Sequence, residues 1–467
     1  MPTPEEWRNL LLKRLDERKG RITQYIKYHE GDHDTRYITQ EFREAFGRMF
    51  SGYVENFCPL VTDAVRERLA VTGFRLGTDL KADEDANRIW QENGLDSDSQ
   101  LCHSEALVKS EASVIVSPFR SEWPRPNAPL ITIEDPRQVV VALDPGNRKI
   151  RQAALKSWRD DEGHLHATLY LADAVYKWRS KQKRDDFTLE NWSEYVKVEW
   201  DQRQGPNDQE WPLKHDLGVV PVVSFVNRPR LDRTGLSELE EVMPIQDAVN
   251  QSIRNGLLIG EMASFPQRYG INMEPEIDTA TGQPVERYKA SIKRLWLAPP
   301  PSNGEPESKF GQFPAADLTP LVKWVEQRIQ HIATITRTPP HYLLGQSGVM
   351  PSGESLKATE TGLVAKVREK QRYFGESWEE VMRLAFAALD DPRKNVHDSE
   401  VIWADAESRT EAEHVDALVK MGSLGVPNEA LWERWGATPQ EIARWKTQQM
   451  AESLLAPVPL TVVPEVA

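Results

Sequence analysis

Cysteine, long apolar runs and a leader-like start are scarce or missing in this sequence. Its 467 residues contain two cysteines, Cys58 and Cys102, and two thiols supply neither a disulfide framework nor a cysteine-based metal site. No apolar run reaches the roughly 18 residues that a membrane-spanning helix needs. Residues 1–7 lack the basic-then-apolar order of a signal peptide. We therefore expect no membrane span, and assembly in a reducing intracellular compartment.

Positive charge is also in deficit. The chain has 58 Lys and Arg residues against 72 Asp and Glu residues, which gives a formal net charge of -14 and a pI ≈ 5.4. Sequence-independent DNA binding comes mostly from neutralising phosphates with Lys and Arg. Any contact with nucleic acid should therefore be loose or confined to a few basic positions.

Catalytic and nucleotide-binding patterns are missing as well. The sequence contains no GxSxG motif and no GxGxxG motif after a predicted strand. Gly345-Gln346-Ser347-Gly348 lacks the Gly-Lys-Ser/Thr ending of a phosphate loop. His164 and His166 alternate on a predicted strand without a third ligand, and we interpret them as surface residues. We predict no catalytic residues, no cofactor and no metal, and hence no enzyme; the alternative left open is an acidic α+β hydrolase.

The first 230 residues have the pattern of an α+β domain, with helices first and sheet second. Apolar residues recur at helical spacing over residues 4–28, and shorter helices are predicted at 56–69, 83–93 and 98–110. Short β-branched or alternating runs between Pro, Gly and Asp predict antiparallel strands, at residues 71–75, 113–117, 130–134, 139–143, 153–158, 167–171, 174–178 and 219–225. The 15 Trp residues are interpreted as anchors in cores and subunit interfaces.

Residues 233–389 form the stretch around which the chain is organised. A helix is predicted from about Gly235 to residue 265, with Ser237 and Glu240 as a capping box. Pro244 in its second turn should kink or restart this helix. Gly256 and Gly260 would let a neighbouring backbone approach closely.

A Pro-rich excursion, residues 266–314, follows that helix. Its basic and acidic residues nearly cancel. A loop of this length between two helices is uncommon unless it has a function. We leave two interpretations open, a small docking module and a disordered insertion.

Two further helices and a loop complete the stretch. Thr319 and Pro320 cap a helix that ends near residue 337. The Gly- and Pro-rich segment 339–353 is predicted as a mobile loop. A very long helix then reaches about residue 389, a length of about 55 Å. Its alternating charges, which include Lys366 and Lys370, are interpreted as a solvated face.

The C-terminal part is predicted to be mainly helical. A strand at 399–403 precedes helices at 409–422, 428–435 and 439–452. Thr438 and Glu441 form a second candidate capping box, with Pro439 at the first helical position. Residues 456–467 are rich in Pro and Val, and we expect them to be unstructured.

The order of these elements resembles the portal (head–tail connector) proteins of tailed bacteriophages, in particular the siphophage type common in phages of actinobacteria. The resemblance covers essentially the whole chain, and the order and spacing of its motifs make it specific. The residues that carry it are Asn56-Phe57-Cys58-Pro59-Leu60-Val61-Thr62-Asp63-Ala64-Val65, Arg233-Thr234-Gly235-Leu236-Ser237-Glu238-Leu239, Thr338-Pro339-Pro340-His341-Tyr342-Leu343-Leu344-Gly345, Ser352-Gly353-Glu354-Ser355-Leu356-Lys357, Leu424-Gly425-Val426-Pro427-Asn428-Glu429 and Leu431-Trp432.

The resemblance implies an α+β, portal-type fold with the following domain boundaries. Residues 1–230 would be an α+β wing, 231–265 the first stem helix, 266–314 a small α/β clip, 315–338 the second stem helix and 339–353 a tunnel loop. Residues 354–406 would be the long wing helix with a return strand, 407–455 an α-helical crown, and 456–467 a flexible tail.

The resemblance also implies a function and a set of partners. The protein would form a ring, typically of twelve subunits, at one capsid vertex of the virion, after assembly in the host cytoplasm. Double-stranded DNA would pass through its channel without sequence specificity during packaging and ejection. The terminase large subunit, a head-completion or adaptor protein, and the major capsid and scaffold proteins would be its partners. The alternative is another structural virion protein, such as a minor head or adaptor protein.

Three groups of residues are the candidate sites on this interpretation. Those of the tunnel loop would face DNA: Gly345, Gln346, Ser347, Gly348, Val349, Met350, Pro351 and Ser352. On the second stem helix, Lys323, Gln327 and Arg328 would contact either DNA or a neighbouring subunit. On the clip, Arg287, Lys289, Lys293 and Arg294 would dock partner proteins.

Overall fold

The computed structural model describes most of the chain in two compact units. Described are residues 2–33, 54–77, 82–117, 128–183, 198–203, 211–231, 235–264, 268–272, 280, 309–312, 317–344, 353–407 and 411–455. The first unit comprises residues 1–32, 56–243 and 333–467, and the second comprises residues 33–55 and 244–332. Helices and strands are both abundant, so the expected α+β class is confirmed.

The helices of the described residues are numbered in chain order. They are α1 (Pro4–Glu30), α2 (Cys58–Arg66), α3 (Glu84–Glu92), α4 (Leu95–Lys109), α5 (Met243–Ser264), α6 (Thr319–Thr336), α7 (Pro340–Leu344), α8 (Gly353–Ala388), α9 (Glu411–Ser423), α10 (Asn428–Trp435) and α11 (Pro439–Leu455), with a 3-10 turn at Pro392–Asn395. Among the described residues, no helix is long and apolar enough to cross a membrane.

The strands form antiparallel sheets. They are β1 (Val71–Arg75), β2 (Glu111–Val116), β3 (Ile131–Glu134), β4 (Val139–Leu143), β5 (Arg151–Arg159), β6 (Leu165–Tyr170), β7 (Ala174–Ser180), β8 (Trp200–Gln202), β9 (Leu213–Lys214), β10 (Val222–Val226), β11 (Arg268–Ile271), β12 (Lys309–Gln312) and β13 (Glu400–Trp403). Their orders are β4-β5-β6-β7-β8 with β9 beside β7, β10-β2-β3, β1-β13 and β11-β12.

The first core lies between α1 and the sheet that contains β4 to β8. Thr3 and Glu6 cap α1 reciprocally, and Gly31 ends it in a left-handed conformation. Leu11 and Leu15 of α1 are buried against apolar side chains of the sheet, including Leu155 and Leu169. This amphipathic helix therefore covers one face of the sheet, as its periodicity predicts.

The second core is built around the long helix α8. Its apolar side chains pack with those of α2, α3 and α4 and of the sheet β10-β2-β3. Trp378 is fully buried, with its ring centroid 4.6 Å from that of Phe225 and 4.9 Å from that of Trp90. Its indole N–H donates to His103 Nε2 over 2.9 Å. α8 is thus a core helix over much of its length.

The structure corrects the predicted start of α5. Residues 235–242 are irregular or turn, and the helix begins at Met243 with Pro244 in its first turn. The Ser237 hydroxyl accepts from Leu239 N over 3.0 Å, and the predicted partner Glu240 bonds instead to Arg21 and Tyr25. The capping box at Ser237 was therefore wrong, whereas the one at Thr438 is confirmed, with Glu441 N 3.3 Å from the Thr438 hydroxyl.

Three further interpretations also change. The segment predicted as a loop from 339 to 353 contains the short helix α7. His164 and His166 are buried rather than exposed, and they bond to Ser180 O and to Asp160 respectively. Lys366 and Lys370 are buried as well, so the charged positions of α8 do not form a uniformly solvated face.

In the second unit, α5 buries part of its polar face. Gln246 is fully buried and its Nε2 donates to Glu55 O over 2.7 Å, while Asn250 Oδ1 accepts from Glu55 N over 3.1 Å. Asn250 Nδ2 also lies 2.8 Å from His33 Nδ1. These amides therefore satisfy backbone groups of a distant segment instead of facing solvent.

Candidate functional site

The candidate site is the segment 345–352 together with the elements that flank it in the sequence. All eight predicted tunnel-loop residues lie outside the described residues. The last turn of α6, the helix α7 and the first half of α8 are described, and they lie on either side of this segment in the sequence. The contacts that fix these flanking elements therefore define where the segment begins and ends.

The helix α7 is fixed by Tyr342. Arg68 Nη2 donates to the Tyr342 hydroxyl over 2.8 Å, and that hydroxyl donates to Glu360 Oε1 over 3.1 Å. Arg68 is also 3.4 Å from Glu360 Oε2 and donates to Ala406 O over 2.9 Å. Burial raises the pKa of Tyr342, although the Arg68 guanidinium opposes the effect. The tyrosine therefore stays protonated and donates this hydrogen bond to α8.

The end of α6 is closed by a Schellman motif. Thr338 N donates to Ala333 O over 3.0 Å, and Arg337 N donates to Thr334 O over 3.4 Å. Arg337 takes the left-handed position with φ 57°, which is uncommon for a residue with a side chain. Its Cβ lies 3.5 Å from where a Cβ on Gly362 would be. The chain reverses here under close packing against α8.

A buried ionic cluster lies next to this turn. Glu238 accepts from Lys366 Nζ over 2.6 Å, from Lys370 Nζ over 3.0 Å and from Asn227 Nδ2 over 3.1 Å. Lys366 Nζ also donates to Thr336 O over 3.1 Å. We call Glu238, Lys366, Lys370 and Thr336 the Glu238 cluster. It connects the segment before α5, the last turn of α6 and the middle of α8.

The electrostatics of the Glu238 cluster are those of a carboxylate held charged in the interior. Burial alone would raise the pKa of Glu238, but the Lys366 and Lys370 ammonium groups outweigh it and hold that pKa well below its ordinary value. Burial lowers the pKa of Lys370, and Glu238 partly restores it. A polar cavity of about 370 Å³, whose lining includes Arg228, Glu241 and Arg337, adjoins the cluster. Two cations and one anion are therefore buried together.

Comparison with known proteins decides the family. Residues 9–453 match the family model described as phage portal protein, SPP1 Gp6-like. The chain belongs to this family of phage portal proteins. Portal proteins are structural components of the virion and act as head–tail connectors, so the expected function is confirmed at this level.

Two curated portal proteins are similar to this chain over most of its length. The portal protein of Mycobacterium phage D29 is 31% identical over 416 residues, which cover 85% of this chain and 79% of that protein. The portal protein of Mycobacterium phage L5 is 30% identical over 415 residues, with the same coverage. Among solved structures, a chain from the neck of a native GTA particle computed with C12 symmetry aligns with a TM-score of 0.43 and 12% identity, over 85% of this chain and 93% of that chain.

The predicted portal stem residues lie on α6. Lys323 and Gln327 are exposed, whereas Arg328 is half-buried with its guanidinium carbon 3.9 Å from the centroid of the Trp324 ring. Arg328 therefore already stacks on its own helix. Neither cation pairs with a carboxylate among the described residues. The choice between DNA and a neighbouring portal subunit stays a prediction.

The close approach expected of the stem glycines is found at one position. A Cβ on Gly256 would lie 2.9 Å from Leu321 Cδ2, whereas one on Gly260 would meet nothing within 4 Å. The neighbour at Gly256 is a side chain of α6 and not a backbone. The four predicted clip residues, Arg287, Lys289, Lys293 and Arg294, lie outside the described residues, although the strand pair β11-β12 is described.

Sequence reasoning missed the Glu238 cluster, although one signal for it was present. Lys370 falls in the apolar register of α8 that Leu363, Val367 and Phe374 define. A lysine in such a register is buried when it finds a carboxylate partner. That partner, Glu238, lies far away in the sequence, in the segment whose local pattern resembled a helix start.

Proposed function

We propose that this portal chain assembles into a closed ring, typically of twelve subunits, whose axial channel conducts double-stranded DNA during packaging and ejection. The observation that carries the proposal is the family match, which spans residues 9–453. The proposed parts are a wing formed by residues 1–230 with 354–406, stem helices at 231–265 and 315–338, a clip at 266–314, a tunnel loop at 339–353 and a crown at 407–455. We propose residues 456–467 as a tail.

The charge of the chain supports a conduit more than a DNA-binding protein. Twelve copies would carry about twelve times the -14 charge of one chain. An acidic wall repels a sliding phosphate backbone, so the ring would not retain its cargo. Lys323 is the better candidate for a local phosphate contact, because Arg328 already stacks on Trp324.

The described anchors support a role for residues 345–352 as the constriction of the channel. Tyr342 fixes α7, which precedes the segment, to Arg68 and Glu360. Lys366 and Lys370 fix α8, which follows it. A short segment between anchored elements can change conformation without disturbing the core. The clip would bind the terminase large subunit and then the head-completion protein, with Arg287, Lys289, Lys293 and Arg294 as docking residues, and the ring itself would hydrolyse no ATP.

Electron microscopy of the purified full chain tests the assembly. We expect rings with an axial channel, and mass photometry should give one dominant species near twelve subunits, with scaffold protein added if the chain alone stays monomeric. Monomers or dimers under all these conditions would refute the ring.

A loop replacement tests the constriction. Replacing residues 346–351 by Gly and Ser should leave the rings intact but reduce the packaging or retention of DNA in assembled particles. The matched control is the same six-residue replacement in the exposed turn 145–150, which should change neither. Loss of rings in the first variant alone would mean that the segment is architectural.

A further inference from the structure

An apolar groove lies between the three C-terminal helices α9, α10 and α11. Its volume is about 630 Å³. Trp445 packs edge-on against Trp432, with ring centroids 5.7 Å apart, and its centroid lies 5.8 Å from that of Trp435. Val415 and Val419 of α9 line the opposite wall. The groove is therefore lined by tryptophan on one side and by aliphatic side chains on the other.

The apolar residues of the groove are uncovered. Val419 is 65% exposed, and Val415 and Trp435 are each 44% exposed. Among residues 414–452, whose side chains are all described, Ala437 is the one buried residue. Amphipathic helices normally bury their apolar faces against another element. Within the described residues, nothing covers the faces that these three helices turn to the groove.

We propose that residues 456–467 of the same chain bind in this groove. Their sequence is APVPLTVVPEVA, with one charged residue, Glu465, and with prolines at 457, 459 and 464. Proline-rich segments favour the polyproline II conformation and bind aromatic-lined grooves at a small cost in conformational entropy. The aromatic lining and the composition of this segment are therefore complementary.

The segment also starts in the right place and is long enough. α11 ends at Leu455, and Glu452, one turn earlier, belongs to the groove wall. In a polyproline II conformation of ~3.1 Å per residue, twelve residues reach about 37 Å. The wall from Trp445 to Glu452 extends only about 10 Å along the helix. A reversal of three or four residues would leave enough chain to cover the groove, with the amides of Gln448 and Gln449 available to its backbone.

Cross-linking within one chain tests the occupant, and the result does not depend on the portal function. The two native cysteines are fully buried, so the cross-links should form between the engineered cysteines. We expect the pair Val415→Cys and Val462→Cys to cross-link within single chains several times more efficiently than the control pair Leu143→Cys and Val462→Cys. Leu143 is a comparably accessible position, 41% exposed, on β4. Equal yields for both pairs would overturn the proposal, and cross-links exclusively between chains would assign the groove to a second copy instead.

A peptide titration gives an independent readout. A fluorescent peptide of residues 456–467 should bind the chain truncated after Leu455, and it should bind the full chain at least about tenfold more weakly, because the groove is already filled. Trp435→Ala in the truncated chain should weaken binding by about tenfold or more. The matched control is Trp324→Ala on α6, which removes an equally exposed tryptophan, 45% exposed, and should leave binding unchanged. Thermal melting verifies that each variant is folded, and no binding to the truncated chain, or equal binding to all variants, would refute the proposal.

Discussion

Replacement of Glu238 by Gln is the sharpest test of how the described anchors work. Glu238 and Lys370 are 3% and 2% exposed at their side chains, and Lys366 is 9% exposed. Glu238→Gln keeps the shape but leaves two buried ammonium groups without a carboxylate. Removing one partner of a buried ion pair costs about 3–5 kcal/mol, mainly because the other charge stays desolvated. We expect a loss of that order in the free energy of unfolding.

The matched control for this variant is Glu241→Gln. Glu241 is 49% exposed at its side chain and pairs with Arg228 over 3.3 Å. An exposed pair of this kind contributes about 1 kcal/mol or less. Urea denaturation, followed by circular dichroism, measures both variants on the same chain. Equal losses for Glu238→Gln and Glu241→Gln would refute the assignment of the Glu238 cluster as a buried ionic anchor.

Glu238→Gln should also change how the free energy of unfolding depends on pH. In the wild type a carboxylate determines this dependence, and in the variant a lysine does. In the wild type, the pKa of Glu238 is lowered in the folded state, so its contribution is fully present above the unfolded pKa near 4.5 and is lost only as the pH falls through the folded pKa. In Glu238→Gln, Lys370 loses the carboxylate that opposes the effect of burial, so its pKa in the folded state should be lowered further. Because the unfolded chain then binds more protons, the stability of the variant should rise as the pH increases towards 10. A variant whose deficit is constant from pH 6 to 10 would contradict this explanation.

Three further predictions concern His103, Gly235 and Glu379. Burial lowers the pKa of His103 to about 3, so the folded state excludes a proton that the unfolded state binds between pH 6.5 and 3. Stability should therefore fall as the pH falls through that window. His103→Leu should reduce this slope and cost about 1–3 kcal/mol by leaving the Trp378 N–H unpaired. Gly235→Ala should lower the free energy of unfolding by about 1–3 kcal/mol, as overpacking does, because the new Cβ would lie 2.6 Å from Ser110 O and 2.7 Å from Asn227 O. The control is Gly20→Ala, which should not destabilise the protein because its Cβ would meet nothing within 4 Å. Burial, with Glu376 nearby, raises the pKa of Glu379 to about 7. The contribution of this residue to the stability of the wild type should therefore be lost as the pH rises from 4.5 through 7. In pH-dependent melting, Glu379→Gln should not show this loss, and it should be more stable than the wild type at pH 8.

Local sequence patterns predicted the elements whose stabilising contacts are themselves local. The spacing of apolar residues gave α1 and α8 to within two residues at either end. Thr438 and Glu441 were predicted correctly as a capping box because both are near solvent, where no distant group competes for them. The antiparallel strands from β4 to β7 were likewise marked by turn residues next to them.

Predictions were wrong where distant groups compete with local ones. Ser237 and Glu240 have the spacing of a capping box, but Arg21 and Tyr25 of α1 bind Glu240, so the helix begins at Met243 instead. The pairing of β1 with β13 joins segments more than 300 residues apart, and no local signal carries that information. Likewise, Lys366 and Lys370 read as surface charges until Glu238 is placed beside them.

Burial also changes how the charge of the chain should be read. The Glu238 cluster takes two cations and one anion out of reach of solvent, so Lys366 and Lys370 cannot pair directly with a phosphate. Burial does not remove these charges from the long-range field, which still follows the formal net charge of -14; it prevents direct contacts between the two ammonium groups and phosphate. In the proposed DNA-conducting ring, burial of these lysines would act in the same sense as the acidic composition, because it stabilises the elements on either side of residues 345–352 without adding an ammonium group that DNA could contact.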